Sequence, residues 1–347
     1  MNAVADDAKR LATALARMRD KRIVVAGDLM LDEWLWGRVG RISPEAPVPV
    51  VEVQSHSYTL GGAGNVASNL AALGARVSVV GVVGRDDAGK RVLALFKKMG
   101  VDARGVIAMA ARPTTQKTRI VAHNQQVVRA DRELAGSLSA PVRERLSRAL
   151  AAYDGRVDGV IISDYGKGAV DKTLVAAARQ FKKRVVVTGD PKPANISAFS
   201  GIDCIAPNSA EAESAAGIDI RDASDFARVG RLLLKRTRCK HVLITEGEHG
   251  MTLFSKGGKA FTVPAVARQV FDVSGAGDTV VSALTLALAA GIPIERAVEF
   301  ASLAAGVVVE KLGTATATPK EIIAFARHEG AATAVPFKAK KSRGGLR

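Results

Sequence analysis

Two cysteines, Cys204 and Cys239, are too few for a disulfide framework, and two reduced thiols are expected. Aromatic residues make up only 4% of the chain although 48% of it is hydrophobic. The core is therefore Ala, Val, Ile and Leu, which suits the β-branched strands and Ala/Leu helices of an alternating parallel sheet. No uninterrupted apolar run approaches the roughly 18 residues of a membrane span. Residues 1–22 mix acids and bases where a signal peptide would have an apolar core, so a soluble cytoplasmic protein with no membrane partner is expected. The five histidines, His56, His123, His241, His249 and His328, form no pair at metal-ligand spacing, and a Cys/His zinc site is not supported. No Ser/His/Asp hydrolase elbow is present either. Acids are scarce relative to bases, with 34 Asp and Glu against 50 Lys and Arg, a net charge of +16. Such an excess suits nucleic acid, anionic membranes or anionic small substrates. It is dispersed apart from residues 338–347, and no basic stripe alternates with aromatics, which argues against nucleic acid as a partner.

What is present is an alternation. Short β-rich runs at residues 22–28, 77–83, 159–163, 185–188, 203–206 and 242–245 are mostly separated by helical patterns, as at 66–73, 89–99, 174–181 and 223–236. That order predicts βαβ crossovers and an α/β, doubly wound, mostly parallel sheet flanked by helices, with ligands at the carboxyl ends of its strands. Residues 33–60, with Pro44, Pro47 and Pro49, and residues 113–132 lack helical periodicity. They are read as a small projecting antiparallel sheet, a candidate lid or dimer surface, within a single domain over residues 1–330. Residues 331–347 are expected to be a basic, flexible tail.

The strongest chemical signal is Asp272-Val-Ser-Gly-Ala-Gly-Asp-Thr279 opening an apolar helix. Small residues at Ser274, Gly275, Ala276 and Gly277 let backbone approach an anion, and the free N–H groups of a first helical turn supply donors. Asp278 beside that anion hole could accept the proton of an attacking hydroxyl. The plainer reading is a Gly-rich loop with an acid at a helix N-terminus. Asn208 and Glu211, one helical turn apart after a strand, could serve phosphate and Mg²⁺ waters; the same spacing makes a capping box. Lys167 and Lys192 each follow an apolar strand, where a lysine is a point charge for phosphate. Two look-alikes are set aside. Residues 84–90 have P-loop spacing, but Arg91 stands where Ser or Thr would meet the metal. Residues 62–67 mimic a dinucleotide fingerprint without the strand it needs in front, and a sugar-facing loop carrying Asn65 is the better reading.

In order along the chain, Gly61-Gly62-Ala-Gly64-Asn65-Val-Ala67, Leu73-Gly74, Val80-Gly-Val-Val-Gly84-Arg-Asp86, Asn208-Ser-Ala-Glu211, Thr245-Glu-Gly247 and Gly275-Ala-Gly-Asp-Thr279 resemble the signatures of the ribokinase-like (pfkB) carbohydrate kinases. The likeness covers about residues 22–328. It implies ATP and Mg²⁺ as cofactors, with a monovalent-cation requirement left open, a sugar phosphate as partner and a homodimer. It further implies Asp278 as base, Asn208, Glu211, Thr245 and Gly247 on the nucleotide side, and Glu211 on Mg²⁺ through water. Asp28, Asp32, Gly61, Gly62 and Asn65 would hold sugar hydroxyls, with Arg119, Arg129, Lys167 and Lys192 near the phosphates.

Within the family, Gly27-Asp28-Leu-Met-Leu-Asp32, Arg41-Ile-Ser-Pro-Glu-Ala-Pro-Val-Pro-Val50, Lys117-Thr-Arg119, Asn124-Gln-Gln126, Ser163-Asp-Tyr-Gly-Lys167-Gly168 and Gly306-Val-Val-Val-Glu-Lys-Leu-Gly-Thr314 resemble the D-glycero-β-D-manno-heptose-7-phosphate kinase branch. That likeness implies phosphorylation at the anomeric O1, on the route to ADP-heptose and the lipopolysaccharide core. Bifunctional members of the branch add a nucleotidyltransferase domain; no His-x-Gly-His follows here, and a kinase alone is expected. Ser274 replaces the usual Thr and keeps a hydroxyl, while Ser302 stands where relatives often carry Asn. The alternatives are a related kinase for another sugar or sugar phosphate, and a binding regulator without turnover.

Overall fold

The computed structural model describes residues 11–329, except 124, 135, 182–184 and 267–269, together with Val335–Pro336. The apolar run Arg22–Gly27 becomes β1, whose side chains alternate across a sheet. Ile23 and Val25 enter one core; Val24 and Ala26 enter another on the opposite face. Burial on both faces requires strands that are apolar throughout, which is why the β-branched runs were so visible in the sequence. Around β1 lie β4 (Arg76–Gly84) and β8 (Gly159–Ser163), both parallel to it. The parallel region extends through β5 (Asp102–Met109) on one side and β9 (Val186–Asp190), β10 (Cys204–Ile205) and β11 (His241–Thr245) on the other. Antiparallel β12 (Met251–Ser255), β13 (Phe261–Val263) and β14 (Val335–Pro336) finish the ten-stranded sheet.

Helices cover both faces. Helix α1 (residues 11–18), α2 (Ala63–Ala72), α3 (Asp87–Lys98), α8 (Ala276–Ala289), α9 (Ile294–Val309) and α10 (Pro319–Glu329) contribute to the core containing Ile23. Helices α4 (Ala140–Ala151), α5 (Lys172–Arg179), α6 (Ser209–Ala216) and α7 (Ala223–Thr237) contribute to the other.

A second sheet has the order β3-β2-β6-β7. Its strands are β2 (Leu29–Ile42), β3 (Pro49–Gly62), β6 (Thr115–Ala122) and β7 (Gln125–Arg132). The two expected non-helical segments form antiparallel hairpins, β2–β3 and β6–β7. They are joined along a parallel seam, β2–β6, that the sequence did not reveal. Strand β2 begins one residue after β1 ends, at Leu29, so the lid grows directly out of the central strand.

Cys204 and Cys239 are free and buried, and burial pushes both thiols up. Among the described residues no helix is long and apolar enough to cross a membrane. The tail expected over residues 331–347 lies, apart from Val335–Pro336, outside the described residues, as does Asn124.

Candidate active site

Helix α8 starts where the small-residue turn ends. Gly275 is its N-cap at φ +81°, a left-handed conformation that favours glycine. A Cβ at Gly275 would lie 2.6 Å from Asn65 Nδ2, so glycine here also admits the amide. No side chain caps the turn among the described residues; the Ala276 N–H donates to the Val273 carbonyl at 3.2 Å, and the Gly275 and Gly277 N–H groups are the donors left to face an anion. Asp272 shapes the approach, accepting from the N–H of Ser274 at 2.8 Å and of Gly313 at 3.0 Å.

Asp278 is buried in the first turn of α8. Its Oδ2 accepts from Asn65 Nδ2 at 2.7 Å and its Oδ1 from the Tyr165 hydroxyl at 2.7 Å. Burial pushes the carboxyl up to about 6 against the pull of those two donors; the nearby Asp32 charge adds to the rise and Lys192 opposes it. A carboxylate so placed is ionised near neutrality yet basic enough to take a proton. Asn65, expected on sugar hydroxyls, spends an amide hydrogen on the base.

Asp28 departs from the sequence expectation. Its carboxylate accepts three backbone N–H bonds, from Tyr165 at 2.8 Å, Lys167 at 3.0 Å and Ala169 at 2.9 Å. It moulds the loop after β8 and lines a small cavity with Arg112 and Lys167. Asp164 fastens the same loop to the end of β9, accepting from Gly166 N–H, Lys192 N–H and Asn195 Nδ2. Lys167 pairs with Glu133 at 2.7 Å, so its ammonium is already engaged.

On the nucleotide side, Asn208 caps α6 and forms a complete capping box with Glu211. The other Glu211 oxygen pairs with Lys192, so both of its oxygens are occupied. The plain capping reading of this motif therefore holds; a carboxylate oxygen has a second lone pair, which leaves room for a metal-bound water beside Lys192. Thr245 ends β11 beside Asn208, with its carbonyl accepting from Ser209 Oγ at 3.1 Å. Gly247 follows at φ +56° in a short 3₁₀ turn.

Asp190, at the end of β9, was not singled out in the sequence. Burial pushes its carboxyl well up, with the Glu211, Asp278 and Asp164 charges adding to the effect and Lys192 opposing it. It makes no side-chain hydrogen bond among the described residues. Oxygen donors crowded in this way fit a hard divalent cation. No group of three or more metal-ligating side chains occurs among the described residues.

The lid contributes one face. Asp32 Oδ1 accepts from Arg119 Nη1 at 2.7 Å, with both side chains largely buried. The Arg119 guanidinium also lies 4.9 Å from the Trp34 ring. A Cβ at Gly61 would lie 2.7 Å from Asp32 Oδ2, and Gly62 adopts φ +56°, so the glycine pair makes room for this carboxylate. Trp34, Arg119 and Arg129 are cross-strand partners in one row. Arg129 is half exposed and bonds Asp131 at 2.9 Å. Thr59 Oγ1 meets Thr314 Oγ1 at 3.0 Å, and Gly313 packs on Trp34, which joins the lid to the loop that holds Asp272.

The look-alike at residues 84–90 does open a helix, but Asp86 fills the turn with its own carboxylate, accepting from Gly89 N–H at 2.8 Å. An acid in that place repels phosphate, and the rejection of a P-loop gains a physical reason.

The chain matches the pfkB family carbohydrate kinase model over residues 20–321. It is 46% identical over 321 residues to the bifunctional protein HldE of Pelobacter propionicus, and the match covers 91% of this chain. The chain spans 65% of the length of that relative. Its fold is similar to that of Arabidopsis thaliana ribokinase complexed with ribose and ATP, with a TM-score of 0.70 and 21% identity over 88% of this chain and 99% of that one. It is also similar to phosphofructokinase-2 from Escherichia coli in complex with potassium, with a TM-score of 0.73 and 19% identity over 89% and 99%.

Proposed function

Because this chain belongs to the pfkB family of carbohydrate kinases, we propose that it phosphorylates D-glycero-β-D-manno-heptose 7-phosphate at the anomeric O1, using ATP, in the route to ADP-heptose and the lipopolysaccharide core. The observation that carries the reading is Asp278, buried, held by two donors and set beside an uncapped helix turn. Asp278 takes the proton of the acceptor hydroxyl as its oxygen bonds to the γ-phosphorus; the bond from that phosphorus to the ADP oxygen breaks, and ADP leaves with the electron pair. Within the turn at residues 274–277, where Ser274 and Ala276 N–H are bonded internally, Gly275 and Gly277 offer their N–H groups to the transferring group. Asp190, with Glu211 through water, would hold Mg²⁺, which when bound neutralises charge on the phosphate oxygens. Val270, Phe271, Val273 and Leu312, exposed around the turn, offer apolar contact to a nucleotide base.

The choice of a phosphorylated heptose rests on the motif likeness and on the lid. Arg119, steadied by Asp32 and Trp34, lies next to Arg129 in register, and adjacent guanidinium groups suit a terminal phosphate. A homodimer through the lid and a cytoplasmic location belong to the same proposal. A coupled ADP-release assay over free and phosphorylated sugars tests it. Heptose 7-phosphate should give the highest kcat/KM; equal turnover of free and phosphorylated heptose would leave only a general sugar kinase.

A further inference from the structure

Tyr165 belongs to none of the expected substrate contacts, yet the loop that carries it is held by buried side chains. It follows β8 by two residues, in a loop that makes a left-handed step at Gly166 (φ +68°) and another at Gly168 (φ +91°). Its own N–H is fixed by Asp28 Oδ2 at 2.8 Å. The residues on either side are pinned by Asp28, by Asp164, and by Arg112, which donates to the carbonyls of Lys167, Leu134 and Gly136. Two buried aspartates and an arginine thus set one loop, and the product of that arrangement is a phenol hydroxyl 2.7 Å from Asp278 Oδ1. The ring also faces the Lys192 ammonium at 5.3 Å. A ring present only to fill space would need no hydroxyl, and a buried hydroxyl without a partner would cost stability.

The two oxygens of Asp278 are therefore held from opposite elements, Oδ2 by α2 through Asn65 and Oδ1 by the β8–α5 loop through Tyr165. The other charges that bear on the carboxylate are Asp32 from β2, Asp190 from β9, and Lys192 just after β9. With two acids against one cation, neutral donors are what favours the anion here. We infer that Tyr165 is a positioning residue for phosphoryl transfer, its O–H donating to Asp278 so that the base stays anionic and its carboxylate plane stays fixed toward the acceptor hydroxyl. The inference rests on the reading of Asp278 as the base. A hydrogen bond to a charged group is typically worth about 1.5–3 kcal/mol, which corresponds to roughly one to two units in the midpoint of the acceptor.

The direct test needs no sugar. The side-chain carboxyl of Asp278 is titrated by ¹³C NMR in the substrate-free protein, with its resonance assigned by its loss in Asp278→Asn. Tyr165→Phe should raise the midpoint by about one unit or more. The acid limb of kcat/KM should move up by the same amount, while KM for ATP and for the sugar change less than about threefold. Replacing the three tyrosines of the chain with 3,5-difluorotyrosine keeps the shape and strengthens the donor, so the midpoint should fall. That arm remains informative if Tyr165→Phe does not fold. An unchanged midpoint in either protein would overturn the inference, as would a raised sugar KM with an unmoved acid limb, which would make Tyr165 a sugar contact. If the NMR midpoint moves but Asp278→Asn still turns over sugar, the reading of the base fails instead.

Discussion

The carboxyl edge of the large sheet and the small sheet both carry charged residues but use them in different ways. At the large-sheet edge, Asp28, Asp164 and Asp278 are buried and bonded to fixed donors from loops and helices. On the lid, charges pair with one another, Asp131 with Lys117 across a row and with Arg129 along its own strand, and Asp32 with Arg119 on a diagonal. Those pairs open toward solvent at Arg129, and register shifts interrupt the strands at Trp36/Gly37, Val39/Arg41 and Ile120/Val121. Fixed, over-bonded groups suit proton transfer, where small displacements are costly. On the small sheet the exposure is graded, from the buried Asp32–Arg119 pair to the half-exposed Arg129. In the proposed function, the edge carries the chemistry and the small sheet carries the choice of sugar.

Removing the base should produce the largest separation between the two regions. Asp278→Asn keeps the shape and loses the proton acceptor, so kcat should fall by roughly 10²–10⁴ with ATP binding retained; near-native turnover would take the chemistry away from the edge. The same variant has a stability signature. The folded carboxyl titrates at about 6 against an ordinary 3.8, so it binds its proton more tightly folded than unfolded. The resulting penalty is absent below about pH 4, grows through the interval, and is fully present above about pH 6. Melting curves of Asp278→Asn and the native protein should therefore compare more favourably for the variant at pH 8 than at pH 4.

Lid substitutions should change selection more than rate. Arg129→Ala, at a half-exposed position, should reduce the preference for the phosphorylated over the free sugar, a gap of roughly 10- to 150-fold, with the melting temperature held. Arg119→Ala should reduce the same gap and also destabilise, because it leaves Asp32 buried without its partner. Lysine at either position should restore the gap only in part. A uniform fall in kcat for both sugars would move these arginines from selection to chemistry.

Glu211→Gln should have the smallest effect. It weakens a capping box and the Lys192 pair, a loss on the order of 1 kcal/mol seen in melting. If Glu211 also serves the metal, the Mg²⁺ concentration for half-maximal rate should rise. Unchanged Mg²⁺ dependence would confine it to the cap and leave Asp190 as the metal-side acid.

Much of the edge was legible because burial on both faces writes itself into composition. Strand β8 coincides with the predicted 159–163, and α7 with 223–236 to within a residue. The turn before Asp278 was legible because close backbone approach demands small residues. What stayed hidden depends on partners far along the chain. Tyr165 meets Asp278 across 113 residues and Asn65 across 213, and no local pattern encodes such a meeting. Asp28 was placed on sugar hydroxyls by family resemblance alone; its bonds to three N–H groups come from a loop 137 or more residues away. The parallel β2–β6 seam was hidden for a related reason, since alternation shows that a strand exists but not its neighbour.

The central claim is that the edge delivers phosphate to the anomeric oxygen of a sugar selected by the lid, and the product itself tests it most directly. Heptose 7-phosphate and ATP are incubated with the chain and followed by ³¹P NMR. The account predicts a new phosphomonoester resonance coupled to the anomeric proton, growing in step with ADP while the 7-phosphate signal persists. ADP accompanied by inorganic phosphate alone, or a new phosphate coupled to any other carbon-bound proton of the sugar, would contradict it.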